Sequence, residues 1–204
     1  MSLPIHDLPL FLAAGILLNL TPGPDMLFVA GSSAAQGRRA GVMAALGVAV
    51  GCGVHMLLAT VGLSALLAAS AWAFDLVKWA GAAYLVWIGI AMLRRAAHAA
   101  DVAPPAVHAR RVFWQGALTN ALNPKVALFF LAFLPQFITP GAPDQAMAFL
   151  ALGALFNAGG LVVNVVVALL AGALRERLAG ESALRRVAGV MFIALGVKLA
   201  VARV

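Results

Sequence analysis

Two residues of this 204-residue sequence put charge where charge is costly. Asp25 closes the segment Asn19-Leu20-Thr21-Pro22-Gly23-Pro24-Asp25, and Lys125 closes Asn120-Ala121-Leu122-Asn123-Pro124-Lys125; each lies well inside a long apolar run. A charge at the centre of a bilayer costs about 2.5–3.5 kcal/mol on insertion scales, so each needs a partner or a watery cavity. Asp25 falls in the first turn after its prolines, where the positive end of a helix favours a carboxylate. Lys125 also falls in a first turn, where the same dipole opposes an ammonium, so its position calls for an anion nearby: Asp25, a bound carboxylate, or both in alternation. Backbone N–H groups at two helix restarts, with Lys125, have the chemistry to hold an anion such as an α-carboxylate. Asp25 would then face an ammonium, carry a proton, or exchange one for the other. The plainer alternative is a fixed Asp25–Lys125 ion pair that ties two broken helices together.

The prolines predict those breaks. In a helix interior proline removes a hydrogen bond and clashes with the preceding turn, at about 3 kcal/mol. Thr21-Pro22 and Asn123-Pro124 each set a good capping residue before a proline at a first helical position. Superposing Pro22 on Pro124, 102 residues apart, sets Thr21 over Asn123; a second match pairs Leu46-Gly47 and Gly53 with Leu152-Gly153 and Gly159. Non-helical backbone at membrane depth is tolerated only in protein or beside a cavity, and matching interruptions in two halves of a chain mark transporter binding sites. The candidate site therefore comprises Thr21, Pro22, Gly23, Pro24, Asp25, Asn123, Pro124 and Lys125. His55, among Gly47, Gly51 and Gly53, is either a proton relay beside Asp25 or a neutral hydrogen-bonding residue between helices. Asn157 and Asn164, seven apart on one helical face, line the cavity or join helices. Asn19 and Asn120, each ahead of a break, would satisfy freed backbone groups.

The elements that must carry these residues follow from composition. The chain is 64% hydrophobic and 10% charged, with mean hydropathy +1.01, far from a soluble domain. Six apolar stretches, at 8–34, 41–66, 72–93, 113–138, 145–174 and 184–202, are continuous rather than alternating, which excludes a barrel. The expected fold is all-α integral membrane, six transmembrane helices as a 3+3 inverted repeat, with helices 1 and 4 interrupted at proline near the midplane. It forms a single domain over 1–204 with halves at about 1–100 and 110–204, joined through Ala103-Pro104-Pro105-Ala106. Of 14 Lys and Arg, ten fall in the three odd-numbered connections: Arg38, Arg39, Arg94, Arg95, Arg110, Arg111, Arg175, Arg177, Arg185 and Arg186. The positive-inside bias puts those connections in the cytoplasm and both termini in the periplasm. The net charge of +7 then reads as orientation beside anionic lipid and not as a nucleic-acid surface. The first residues, Met1 to Asp7, hold no Lys or Arg, so they are expected to lead into the first span and not to form a cleavable signal.

Cys52, the one cysteine, makes neither an intrachain disulfide nor a Cys-based metal site. Nucleotide-binding, hydrolase and metal-ligand motifs are missing from the sequence, so an enzyme, a cofactor and a resident metal are not expected, and movement through the chain would run on an ion gradient or by facilitated diffusion. Gly47-x-x-x-Gly51 suits close helix packing, within one chain or in a homodimer. Trp72, Trp79, Trp87 and Trp114 read as interface anchors, and Asp75 with Lys78 as a solvated pair.

With these residues in view, Asn19–Asp25, then Gln36-Gly37-Arg38-Arg39-Ala40-Gly41 and a Gly-rich second span, resemble the LysE/RhtB family of amino-acid exporters. Ala121-Leu122-Asn123-Pro124-Lys125 followed by Phe129-Phe130-Leu131-Ala132-Phe133-Leu134-Pro135-Gln136-Phe137 is similar to that family's second hallmark, and the resemblance covers nearly the whole chain. It implies an exporter of amino acids or close derivatives in the bacterial inner membrane, driven by the proton-motive force, with the Thr21–Asp25 and Asn123–Lys125 segments in the transport site. One acid and one base at depth suit a neutral zwitterion. Competing readings are an exporter of inorganic cations, against which the lack of a thiol or carboxylate cluster weighs, and a non-transporting partner or sensor subunit.

Overall fold

The computed structural model describes residues 3–60, 108–139 and 141–177, with isolated positions at 79, 83, 86, 87, 90, 93, 94, 190, 193 and 197. The expected spans at 72–93 and 184–202, the Pro104-Pro105 linker, Trp72 and the Asp75–Lys78 pair lie outside the described residues, apart from those positions.

Six α-helices are described: α1 (Leu8–Leu20), α2 (Pro24–Gln36), α3 (Arg38–Thr60), α4 (Ala109–Ala121), α5 (Pro124–Leu128) and α6 (Gln145–Arg177). After α5 the chain widens into a π-helical turn, Phe129–Phe133, and tightens into a 3₁₀ turn, Leu134–Phe137. Among the described residues there is no strand, only a single bridge between Ile5 and Ile138. Helices α3 and α6 are long and apolar enough to cross a membrane, and two bent pairs pass the same test together: Leu8–Leu20 with Pro24–Gln36, and Ala109–Ala121 with Pro124–Phe137, each bent by 46°.

Proline chemistry accounts for where those bends fall. The residue before a proline is pushed out of the helical region into extended backbone. Thr21 (φ −70°, ψ 119°), Gly23 (φ −143°, ψ 179°) and Asn123 (φ −85°, ψ 108°) all precede prolines and all are extended. The turn between α2 and α3 is a single residue, Gly37, at φ 93°, a conformation that side-chain-bearing residues avoid.

Two apolar clusters hold the bundle. Phe11, Phe129, Phe130, Phe137, Leu152 and Phe156 join α1, the π and 3₁₀ turns and α6, with the rings of Phe129 and Phe156 stacked at a centroid distance of 4.0 Å. Phe28, Val29, Ala44, Ala45, Val48, Val112 and Ala168 join α2, α3, α4 and α6. Between α3 and α4 the backbones themselves meet: a methyl group on Gly47 would overlap the Phe113 carbonyl, one on Gly51 the Ala117 carbonyl, and one on Gly116 the Ala44 carbonyl. The Gly47-x-x-x-Gly51 pattern is thus taken up inside one chain, so it gives no indication of a homodimer. The outward faces are apolar, with Leu17, Val162 and Leu170 each more than 60% exposed, as lipid contact requires.

Contacts at both ends show that α1 runs antiparallel to residues 124–137. At one end the His6 N–H donates to the Phe137 carbonyl and the Thr139 N–H to the Pro4 carbonyl. At the other, Lys125 reaches the last turn of α1. The two bent pairs therefore cross at their bends.

Candidate functional site

That crossing brings the two proline motifs together. The Lys125 ammonium donates to the Thr21 carbonyl at 3.0 Å and to the Leu18 carbonyl at 3.3 Å. It lies 3.9 Å from Asp25 Oδ1, with the side chains of Lys125 and Asp25 22% and 12% exposed. Gly23 makes the approach feasible: a Cβ there would come within 2.9 Å of both Lys125 Nζ and Asp25 Oδ1.

Each bend frees a carbonyl for a definite reason. In a continuous helix the Leu18 carbonyl would accept from residue 22 and the Asn120 carbonyl from residue 124, but both are prolines without an N–H. Leu18 is served by Lys125 Nζ and by the Thr21 N–H at 3.2 Å. Asn120 is served by His55 Nε2 at 2.9 Å and by the Asn123 N–H at 2.8 Å. Because the Asn120 carbonyl can only accept, His55 Nε2 carries the proton in this bond. His55 also stacks on Phe130, centroids 6.1 Å apart. A side chain from the second half of the chain thus serves the first bend, and one from the first half serves the second.

The two restarts differ. Asn123 caps its own helix, its Oδ1 accepting from the Lys125 N–H at 3.0 Å. No side chain caps the start of α2, where Asp25 sits in the first turn. Asn120 Nδ2 donates to Asp25 Oδ2 at 3.4 Å. Within this buried cluster Asp25 Oδ1, Asn120 Oδ1 and Asn123 Nδ2 have no hydrogen-bond partner among the described residues, although Asn120 and Asn123 are 2% and 0% exposed. Buried polar atoms are normally paired, which sets these two acceptors and one donor at the crossing apart.

Of the residues singled out by sequence, Pro22, Gly23, Pro24, Asp25, Asn123, Pro124 and Lys125 gather at the crossing, and His55 joins through Asn120. Thr21 contributes its carbonyl; its exposed hydroxyl donates to Leu17 of its own helix. Asn157 lies apart, donating to the Ala49 carbonyl and so joining α6 to α3. Asn164 is buried on α6 with Oδ1 unpaired among the described residues. Asn19 donates to the Phe156 carbonyl, across to α6, and not to backbone freed at its own bend. Asn120, expected to satisfy freed backbone, instead turns its amide to Asp25. Its position one helical turn ahead of Pro124 was the available signal. Among the described residues no group of three His, Cys, Asp or Glu could hold a metal.

Comparison with known proteins gives the geometry a family. Residues 16–203 match the model of the LysE type translocator. The homoserine/homoserine lactone efflux protein of Salmonella typhimurium is 37% identical over 198 residues, 95% of each chain. An uncharacterised membrane protein of Pseudomonas aeruginosa is 34% identical over 98% of each chain. The leucine efflux protein of an Enterobacter species is 32% identical over 148 residues, 70% of this chain and 68% of its own. No solved structure matches. A chain whose apolar helices bend at two proline motifs, and whose likeness to the homoserine/homoserine lactone efflux protein extends over almost its full length, belongs to the LysE type translocator family of multi-pass membrane proteins.

Proposed function

We propose that this protein is a proton-coupled secondary exporter of amino acids or close derivatives across the bacterial inner membrane, with substrate held where the two bent helix pairs cross. The observation that carries the reading is the crossing itself: one acid, one base and three unpaired amide or carboxylate atoms buried between the bends. A zwitterion matches that set. Its carboxylate meets Lys125 and the uncapped start of α2, and its ammonium meets Asp25 Oδ1 and Asn120 Oδ1. One charge of each sign favours a neutral amino acid, and the efflux proteins of homoserine and leucine among the relatives are in keeping with that.

The wider architecture is part of the proposal. Each bent pair is one interrupted span, and the antiparallel course of α1 and residues 124–137 supports six spans in a 3+3 inverted repeat, one domain over 1–204, with both termini in the periplasm. Asp25 carries the coupling proton in exchange for the substrate ammonium. His55, already donating to the Asn120 carbonyl, braces the second bend. Asn164, buried with Oδ1 unpaired among the described residues, lines the α6 side of the path, while Asn157 ties α6 to α3.

The test is flux of a labelled amino-acid mixture from proteoliposomes under an imposed pH gradient, wild type against Asp25→Asn. Gradient-driven movement of a neutral amino acid, abolished by Asp25→Asn, is the expected result. Movement untouched by the variant removes the site from the proposal. No amino-acid movement by folded wild type overturns the function, and flux of inorganic cations, or of nothing, then decides between a cation exporter and a non-transporting subunit.

A further inference from the structure

The ammonium of Lys125 is held less by its counter-ion than by backbone. Its two shortest contacts are the Thr21 and Leu18 carbonyls, at 3.0 and 3.3 Å, and the carboxylate is the farthest of the three oxygens at 3.9 Å. An ion pair alone explains the third contact and leaves the first two without a reason. A cation site explains all three. The oxygens come from the C-terminal end of α1, where the helix dipole is negative, from a carbonyl that Pro22 has deprived of its partner, and from one acid. Hard oxygen donors of this kind are the ligands of small hard cations, and the carbonyl end of an interrupted helix is where membrane transporters coordinate a coupling cation.

We propose that the end of α1 and Asp25 form a monovalent-cation site that the chain fills with its own tethered ammonium, Lys125. The site's needs are one positive charge and donors toward three oxygens; Lys125 brings both from the other half of the chain. A free alkali cation has no place there while Lys125 is present, so the wild-type protein works without sodium. As a statement about coupling this rests on the transport reading above; as a statement about the site it stands on the contacts alone. Gly23 is part of the device, since a side chain there would push the ammonium and the carboxylate out of these positions.

Removing the tether should open the site to a free cation. The experiment measures thermal unfolding midpoints of purified wild type, Lys125→Ala and Lys125→Met in choline chloride, with sodium, lithium or methylammonium titrated in. Lys125→Ala is expected to unfold at a lower temperature than wild type and to regain part of the loss, saturably, with methylammonium or sodium, as a ligand that binds only the native state must produce. Lys125→Met, whose chain fills the channel without charge, should show no such response. Equal responses of the two variants, or none from Lys125→Ala, overturn the proposal. So does a sodium-specific rise in the wild-type midpoint, which needs no variant to fold. The readout does not involve transport, so lack of amino-acid flux would sink the proposed function and leave this test intact.

Discussion

The two bends share an angle and a cause but not a chemistry. At the first, the chain spends three residues, Thr21, Pro22 and Gly23, outside helix, restarts without a side-chain cap, and has an acid in its first turn. At the second, the restart is closed by the Asn123 side chain on the Lys125 N–H. The freed carbonyl of the first is met by a cation, that of the second by an imidazole N–H. The second restart is thus capped by its own side chain, yet two buried amide atoms beside it, Asn120 Oδ1 and Asn123 Nδ2, have no hydrogen-bond partner among the described residues. The first restart has no side-chain cap, and its acid has an Oδ1 that lacks a hydrogen bond among the described residues. On the proposed function the acid of the first bend and the amides of the second face the substrate together, while the Asn123 cap and His55 hold the second bend in shape.

That contrast can be broken in order of effect. Lys125→Met should do most: stripping one partner from a largely buried charge pair costs up to about 3–5 kcal/mol, so a lowered unfolding midpoint and loss of flux are expected together. Removing the donor from His55 comes next. His55→Phe leaves the Asn120 carbonyl with one partner, at the lower end of the roughly 1–3 kcal/mol for a buried unsatisfied group, while His55→Gln, which can still donate, should retain more of the midpoint. A double-mutant cycle sharpens this. With Pro124→Ala restoring an N–H for the Asn120 carbonyl, His55→Phe should cost less than in the wild-type background, and an unchanged cost would mean that the imidazole acts elsewhere. Asn123→Ala loses a helix cap, at about 1 kcal/mol of stability, and also the open Nδ2 at the crossing, so a modestly lowered midpoint with reduced flux is expected. Thr21→Val, whose exposed hydroxyl bonds only its own helix, should stay within about 0.5 kcal/mol and keep its flux.

Much of this was legible in the residues because proline acts locally. The extended backbone at Thr21, Gly23 and Asn123 follows from the residue after each, and the apolar helices follow from runs with almost no charge. The meeting of Asp25 and Lys125 was legible as a need, since neither charge could stand alone at depth. The way the need is met was not. Main-chain carbonyls carry no signature in a sequence, so Leu18 and Thr21 as holders of the ammonium were invisible until the crossing was known. The same holds for Asn120, whose amide could have turned to backbone or to Asp25 with equal ease. Gly47-x-x-x-Gly51 was legible as a close contact, but its partner, the backbone at Phe113 and Ala117, depends on which helix arrives beside it.

Because each bend is braced from the opposite half, the order of synthesis acquires structural meaning. Asp25 leaves the ribosome 95 residues ahead of Asn120, an interval of about 5–20 s at ordinary elongation rates. Throughout it the nascent chain holds an acid, joined after residue 55 by an imidazole, whose counterparts have yet to be made. A chain stopped short of residue 125 has the first bend without the ammonium that meets its freed carbonyl.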